Sequence, residues 1–352
     1  MKYKSAVLGC GPRAAAHIEA YKDLDEITLT AACDLDDARR NDYAKRFSIP
    51  NMYSDLETML ATERPDVLHI VTPPTIREQP LALAIKHGVK GIIVEKPIAL
   101  TLDQLAGIEK LAADSGIKIA VNMQRRYFPT CRDLKKVLDR KLIGNIRFIR
   151  CVAKGNILSM GPHMVDLLLY LLNDVEPATV WAVAEGMNGY DYAHPAPARM
   201  LFRLVLPGGI TVYGEDADDA VGIVGETDFW QHHEFDIWGS TGRAWWAQNI
   251  NWGYQAAGMA EPVINDSKWL VGDLDGQREF TRAMAHWLDG RAVHDNCLAH
   301  TVSGFQVIMA MMQSAYDGAI VKYPATVDRD IKEKLQKRLE GKAGASKRQA
   351  DG

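Results

Sequence analysis

Two polar sites in this chain of 352 residues carry side chains suited to hydrogen bonding and proton transfer. The first is Glu95-Lys96-Pro97, which ends the apolar run Gly91-Ile92-Ile93-Val94. Proline biases the residue before it toward an extended backbone, which helps to fix the direction of the Lys96 ammonium. Because ligands bind beyond the carboxyl ends of the strands in an open α/β sheet, we predict a ligand at Lys96. The alternative is a solvated lysine at a strand end.

The second site is a histidine in the later part of the chain. Residues 163–172 are mostly apolar and predict a helix, on which His163 and Asp166 share one face because they are three positions apart. Histidine has an unperturbed pKa close to neutral pH, so it is an efficient general base for a hydroxyl proton. The alternative is a core histidine whose ring nitrogens are satisfied by its neighbours.

A glycine-rich turn near the start of the chain predicts a phosphate-binding loop. The apolar run Ser5-Ala6-Val7-Leu8 leads into Gly9-Cys10-Gly11-Pro12-Arg13-Ala14 and then into a helical stretch. Gly9 permits a tight turn, Gly11 lets the backbone approach a pyrophosphate, and Ala14 lets helix and strand pack closely. An ordinary tight turn between a strand and a helix would give the same pattern.

An acidic residue at the end of the second predicted strand fits a ribose diol. Asp34 comes 25 positions after Gly9, near the spacing of about 20 that is typical of such an acid. Leu35 follows it, where a basic residue would favour a 2′-phosphate, so the sequence favours NAD. Three arginines leave NADP open: Arg13, Arg39 and Arg40. The alternative for Asp34 is a helix cap.

Strand and helix patterns alternate regularly as far as residue 121 and predict an α/β fold with a doubly wound parallel sheet of the Rossmann type. Thr72-Pro73-Pro74 follows the fourth strand, where a stiff turn would lie beside a nicotinamide ribose, or would simply start a helix. Later segments read as meandering antiparallel strands. We therefore predict domains at 1–122 and 123–330, then a C-terminal helix and disordered tail at 331–352.

Composition excludes several classes of protein. The net charge of -4 gives no general attraction to nucleic acid or to anionic membranes. Five scattered cysteines without a C-x-x-C pair argue against disulfides and zinc, and no histidine, cysteine and carboxylate cluster predicts a metal. No apolar run is long enough to span a membrane, and we expect no signal peptide before the first strand. We expect a cytoplasmic protein.

The glycine loop, Asp34, Thr72-Pro73-Pro74 and Glu95-Lys96-Pro97, in that order, resemble the Gfo/Idh/MocA oxidoreductases. The stretch 122–127 resembles the segment that leads into that family's second domain. The resemblance implies NAD(P)-dependent hydride transfer from a secondary hydroxyl of a sugar, sugar derivative or cyclitol. It also implies a C-terminal α+β domain with a large, mostly antiparallel open sheet, and assembly as a homodimer or homotetramer.

The resemblance also assigns individual residues. The family pattern Asp-x-Gly-x-His-x-x-Asp is matched at Gly161, His163 and Asp166, whereas Ser159 replaces the first acid. The expected catalytic residues are Lys96, His163 and, as a partner of the histidine, Asp166. The expected cofactor-binding residues are Gly9, Gly11, Pro12, Arg13, Ala14, Asp34, Thr72, Pro73, Pro74, Glu95, Lys96, Gln124 and Arg125. The expected substrate-binding residues are Lys96, Tyr127, Ser159, His163, Trp230 and His232.

Alternatives remain for the tryptophan-rich region and for the function. Trp230 and His232 suit a sugar, but sheet-core aromatics or a subunit interface would give the same composition. Some relatives of this family keep NAD bound and cleave a glycosidic bond through transient oxidation, and the change at Ser159 is compatible with such chemistry. Some members of this fold are non-catalytic regulators that sense a dinucleotide; Lys96 and His163 argue against that function here, whereas the change at Ser159 argues mildly for it.

Overall fold

The computed structural model describes residues 2–187, 195–222 and 232–350, with side chains as far as residue 341. Trp230, which was predicted to bind substrate, lies outside these ranges. The chain divides into two compact units. The first comprises Met1–Phe128 and Asp273–Thr301, and the second comprises Pro129–Gly272 and Val302–Gly352.

The first unit contains a six-stranded sheet in the order β3-β2-β1-β4-β5-β6. All its neighbouring strands pair in parallel. β4 and β5 are buried along their whole length, which is why they read as continuous apolar runs. The predicted doubly wound parallel sheet is confirmed. Its strands are β1 Tyr3–Leu8, β2 Ile27–Cys33, β3 Asn51–Tyr53, β4 Val67–Ile70, β5 Gly91–Val94 and β6 Lys118–Val121.

Helices follow the strands of this sheet, and their starts are set by capping side chains. Asp36, Asp55 and Thr101 each accept a backbone N–H of the next helix, which satisfies groups that a helix N-terminus leaves unpaired. Short 3-10 turns span Pro74–Ile76 and Gln124–Tyr127. The helices are α1 Ala14–Glu19, α2 Asp37–Phe47, α3 Leu56–Glu63, α4 Glu78–Lys86 and α5 Leu102–Ser115.

The second unit contains a nine-stranded sheet in the order β14-β13-β12-β11-β7-β10-β9-β8-β15. β7 and β10 pair in parallel, and the other neighbours pair antiparallel. The predicted large, mostly antiparallel sheet is confirmed. Its strands are β7 Ile146–Lys154, β8 Thr179–Glu185, β9 Arg199–Val205, β10 Thr211–Ala217, β11 His233–Gly239, β12 Gly242–Ala247, β13 Asn251–Ala256, β14 Val263–Asp266 and β15 Val321–Lys322.

The remaining helices include one that is buried almost all round. α7, Gly161–Leu171, has nearly every side chain buried, as expected for a helix that is apolar on all faces. α10, Ile331–Ala350, continues through most of the tail that the sequence analysis expected to be disordered. The others are α6 Pro129–Asp139, α8 Trp269–Leu288 and α9 Leu298–Asp317. None of the helices in the described ranges is long and apolar enough to cross a membrane.

Residues 273–301 group with the first unit, although the sequence analysis assigned them to the second domain. The physical reason is shared packing and hydrogen bonding. Phe280 and Met284 are fully buried in a core cluster of the first unit. The Val121 N–H at the end of β6 donates to the Asn296 carbonyl at 3.0 Å. The order of residues alone did not show that the chain returns to the first unit at residues 273–301.

Candidate functional site

The glycine loop between β1 and α1 has the geometry that its sequence predicted. Gly9 has φ +98°, and a Cβ there would lie 2.6 Å from the Val71 carbonyl oxygen, so a side chain is excluded on two grounds. Gly11 has open space where its Cβ would be. Its carbonyl accepts a hydrogen bond from the Tyr43 hydroxyl at 2.6 Å. The loop is therefore anchored at its first glycine and open at its second.

Asp34 at the end of β2 is hydrogen-bonded to this loop. Its carboxylate accepts the Cys10 N–H at 2.7 Å and the Asp36 N–H at 2.9 Å. Asp36, rather than Asp34, caps α2. The side chain of Leu35 is 90% exposed beside it. The cap that was the alternative interpretation therefore belongs to Asp36, and Asp34 keeps a carboxylate that two backbone donors orient.

The guanidinium of Arg13 is hydrogen-bonded to other side chains, which leaves it unsuited to bind a phosphate. Its Nε donates to Glu95 at 3.1 Å, its Nη1 to Asp273 at 3.0 Å, and its Nη2 to Gln277 at 2.8 Å. The two carboxylates raise the pKa of the guanidinium against the opposing effect of burial. Of the three arginines that left NADP open, Arg13 thus has its nitrogens bonded to other side chains of the first unit.

Glu95 is the centre of a buried polar network at the carboxyl end of β5. Its Oε1 accepts from Arg13, from His17 at 2.8 Å and from Asn122 at 2.7 Å. Its Oε2 accepts the backbone N–H of Lys96 at 3.1 Å. Burial would raise the pKa of this carboxyl, but the hydrogen bond from His17 and the charge of Arg13 hold it well below its usual range. Glu95 is therefore an ionised acceptor that is bonded to the backbone of Lys96.

Behind Glu95, a chain of hydrogen bonds crosses the core of the first unit. His17 Nδ1 lies 2.9 Å from His69 Nδ1, and His69 Nε2 lies 2.7 Å from the Tyr21 hydroxyl, which bonds to Ser5. Burial lowers the pKa of both histidines, so both are neutral. Because ionised Glu95 accepts from His17 Nε2, His69 must donate to His17 and Tyr21 must donate to His69.

Arg77 is a second arginine at the same strand ends, and it is fully buried. Its Nη1 donates to the Thr72 carbonyl at 2.7 Å, and its Nη2 donates to the Glu95 carbonyl at 2.6 Å. Arg77 is not among the site residues predicted from the sequence, and neither are His17, His69 and Asn122. One signal was available for His17, since it lies four positions after Arg13 and the two therefore lie on one side of the first turn of α1.

Thr72-Pro73-Pro74 forms the turn after β4. The Pro74 carbonyl accepts the Gln104 amide at 2.7 Å, which ties the turn to α5. The hydroxyl oxygen of Thr72 is buried and has no hydrogen-bond partner among the described residues. Because buried hydroxyls are normally paired, an orphaned one at a strand end is suited to a ligand's hydrogen bond.

The segment after β6 is buried in the first unit. Gln124 donates to Asp273 at 2.9 Å, and Arg125 is almost fully buried. The hydroxyl of Tyr127 lies 3.3 Å from His294 Nδ1 and accepts the Asp295 N–H at 3.2 Å. These contacts give Gln124 and Tyr127 structural partners, whereas the predicted cofactor and substrate roles of this segment stay predictions.

In the second unit, Ser159 lies in the turn that precedes α7. Its hydroxyl accepts the Asn156 N–H at 3.1 Å and lies 3.2 Å from the Asn156 carbonyl. His163 and Asp166 occupy the first two turns of α7 and are 6% and 3% exposed. The serine that replaces the family acid thus contributes to the entry into the helix that carries His163. His232, just before β11, is also buried.

A protein-family model matches most of the N-terminal part of the first unit. Residues 3–123 match the Gfo/Idh/MocA model, described as an oxidoreductase family with an NAD-binding Rossmann fold. Over these residues the chain is similar to that family. The matched range contains the glycine loop, Asp34, Thr72 and Lys96, so the predicted family and the nicotinamide dinucleotide class of cofactor are confirmed.

Individual relatives of this chain are distant in sequence. A D-apiose dehydrogenase from Paraburkholderia graminis is 27% identical over 191 residues, which is 49% of this chain and 51% of the relative. The chain spans about half the length of the curated relatives that it matches.

Solved structures extend the likeness to both units at the level of fold. An oxidoreductase from Agrobacterium radiobacter, in complex with NAD+, L-tartaric acid and magnesium, has a TM-score of 0.79 at 20% identity; the match covers 92% of this chain and 98% of that chain. The scyllo-inositol dehydrogenase from Lactobacillus casei with bound NAD(H) and scyllo-inositol has a TM-score of 0.71 at 18% identity. The match covers 92% of this chain and 100% of that chain.

Proposed function

We propose that the protein is an NAD(P)-dependent oxidoreductase that transfers a hydride from a secondary hydroxyl of a sugar, sugar derivative or cyclitol to nicotinamide. The observation that carries the proposal is the Glu95 network. Through Arg13, Glu95 is bonded to the glycine loop, and through its Oε2 it is bonded to the backbone of Lys96. A dinucleotide loop and a strand-end lysine are thus held together by one ionised carboxylate.

Three features of the first unit fit a bound dinucleotide. Gly11 leaves open space above the loop, Asp34 presents an oriented carboxylate, and the Thr72 hydroxyl is buried without a partner among the described residues. NAD is favoured over NADP because exposed Leu35 follows the acid and Arg13 is bonded elsewhere. Arg39 and Arg40 are the remaining basic residues near the expected position of a 2′-phosphate.

The proposed chemistry uses three side chains. The alcohol loses a hydride from carbon and a proton from oxygen, and nicotinamide supplies the hydride acceptor when it is bound. Lys96 donates a hydrogen bond to the reacting oxygen and stabilises its developing negative charge. His163 accepts the hydroxyl proton, since an imidazole is a suitable base near neutral pH. Asp166, on the same helix face, orients His163.

The substrate class rests on the named relatives. One relative is a dehydrogenase of the sugar D-apiose, and one structural neighbour was solved with scyllo-inositol. Both are polyhydroxylated molecules with secondary hydroxyl groups. Buried His232 is proposed to contribute to substrate binding, with Tyr127 and Ser159. Trp230, two positions before His232 in the sequence, is proposed to do the same.

We also propose a homodimer or homotetramer that forms through one face of the nine-stranded sheet. Register places Trp181, Arg203 and Tyr213 side by side on that face, since each lies directly opposite the next across paired strands. Trp181 and Tyr213 are exposed, as is Trp238 on β11. Aromatic residues and arginine are enriched at protein interfaces.

Sedimentation velocity on the wild type and on Tyr213→Glu tests the proposed assembly. A monomeric wild type contradicts the proposal.

The function is tested by following NADH formation with a panel of sugars, cyclitols and glycosides. Reduction of NAD by at least one sugar or cyclitol, with an equimolar ketone product, is the expected result. Cleavage of a glycoside without net NADH would overturn the proposal in favour of transient oxidation. Binding of NAD with no turnover across the panel would overturn it in favour of a dinucleotide-sensing regulator.

A further inference from the structure

The side chain of Arg77 occupies a position that packing alone does not explain. The residue directly precedes α4, and it is 0% exposed. Its two terminal nitrogens donate to the backbone carbonyls of Thr72 and Glu95, which follow β4 and β5. Its Nε is buried and has no hydrogen-bond partner among the described residues. A guanidinium in the core thus joins the ends of two parallel strands through main-chain oxygens.

Pairing of these strands does not require such a contact. β4 and β5 are already in register from Val67 with Gly91 to Ile70 with Val94. The Glu95 N–H extends the ladder by donating to the Ile70 carbonyl at 3.0 Å. Burying a cation is costly, and burial lowers the pKa of Arg77 to about 10 even though the charge of Glu95 opposes that shift. The guanidinium therefore has a use beyond strand pairing.

The guanidinium of Arg77 acts on the peptide group between Glu95 and Lys96. Its carbonyl oxygen accepts from Arg77 Nη2 at 2.6 Å, and its N–H donates to Glu95 Oε2 at 3.1 Å. A peptide group is planar, so hydrogen bonds at both its oxygen and its nitrogen fix the orientation of the whole plane. The Cα of Lys96 belongs to that plane, so the plane fixes the point from which the Lys96 side chain leaves the backbone.

We propose that Arg77 is a positioning residue for Lys96: by holding the Glu95 carbonyl and the Thr72 carbonyl together, it sets the Glu95–Lys96 peptide plane. The inference rests on the proposed function, because only that function gives Lys96 a role in turnover. Arg77 and Arg13 act on Glu95 at different atoms, Arg77 at the main-chain carbonyl and Arg13 at the carboxylate.

The test compares Arg77→Met, Arg77→Lys and Arg77→Ala with two controls. Arg278→Met is the matched arginine change, since Arg278 also donates to a backbone carbonyl, that of Lys22. Leu60→Ala, at a fully buried apolar position, controls for loss of stability in the same unit. For each variant, kcat, the Kd for NAD from fluorescence, Tm, and hydrogen–deuterium exchange of residues 91–98 are measured.

Arg77→Met is expected to lower kcat by about 100-fold, the scale of a misplacement of about 1 Å. The Kd for NAD should stay at the wild-type value, and the Lys96 amide should exchange faster. Arg77→Lys should be intermediate, because an ammonium lacks the planar fork that reaches both carbonyls. Ethylguanidinium should restore part of the activity of Arg77→Ala. Neither control should show the change in kcat or in exchange at 91–98.

Two outcomes overturn the inference. One is wild-type kcat and wild-type exchange in Arg77→Met. The other is a loss of activity in Arg77→Met that Leu60→Ala reproduces at an equal fall in Tm, with no rescue of Arg77→Ala by ethylguanidinium. If the wild type turns over no substrate, the proposed function fails, and exchange of residues 91–98 still decides whether Arg77 holds the Lys96 peptide.

Discussion

The two ends of the expected dinucleotide site are built in different ways. At the end of β2, Asp34 is oriented by backbone N–H groups of the adjoining loop and of its own turn, and Leu35 beside it is exposed. At the end of β5, Glu95 is held by side chains from several elements, most of them buried, and its carboxylate accepts the Lys96 N–H. The first end is suited to recognition, which tolerates exposure. The second is suited to chemistry, which needs fixed geometry and exclusion of water.

The largest effect on kcat should come from removing the Lys96 side chain at the end of β5, the end suited to chemistry. Lys96→Ala is expected to lower kcat by about 1,000-fold, because one donor to the developing oxyanion is lost. The Kd for NAD should stay near the wild-type value. Lys90→Ala is the control, since Lys90 lies at the other end of β5 and pairs with Asp66. Turnover of Lys96→Ala at the wild-type rate would show that Lys96 has no catalytic role.

The next effect concerns stability at the same end. Glu95→Gln is expected to lower the free energy of unfolding by about 3 kcal/mol, because Arg13 and His17 lose a buried charged acceptor. The folded-state pKa of Glu95 is depressed, so its contribution is fully present above the unfolded pKa of about 4.3 and is lost as pH falls below it. Urea titrations at several pH values should therefore show wild type and variant converging in acid. A constant difference down to strongly acidic pH would contradict this.

At the recognition end, loss of the carboxylate should weaken binding without changing the chemistry. Asp34→Ala is expected to raise the Kd for NAD by about 10- to 100-fold, as expected for hydrogen bonds to a charged group. The value of kcat at saturating NAD should change little. Asp36→Ala separates this effect from the cap of α2, because it should lower Tm with less effect on affinity. Equal losses of kcat in Asp34→Ala and Lys96→Ala would remove the contrast between the two ends.

The smallest effect should be on cofactor choice. Leu35→Arg places a cation after Asp34 and is expected to raise the preference for NADP over NAD by about tenfold, or about 1.4 kcal/mol. Leu35 is exposed, so the change should leave Tm unaffected. The ratio of kcat/KM for the two cofactors is the measurement. An unchanged ratio would place the 2′-position of the ribose away from Leu35.

Much of the recognition end was predictable because its contacts are local. Gly9 takes a positive φ, Gly11 leaves open space where a Cβ would be, and an acid follows β2; each feature shows in residue type and spacing. The partners of Glu95 were not predictable in this way. His17 approaches from α1, Asn122 from the end of β6, and Arg77 from the start of α4. Their residue types also fit exposed helix or loop positions, so nothing in the order of residues marked them as a group.

Residue order alone established the alternation of strands and helices, the glycine loop, and the place of Lys96 at a strand end. These features follow from backbone preferences and periodicity, which neighbouring residues encode. The tertiary structure alone decided that Arg13 bonds to Glu95, that residues 273–301 join the first unit, and that Arg77 reaches the Glu95 carbonyl. Such contacts join groups that are far apart in the chain. They form because folding must satisfy every buried charge and carbonyl at once.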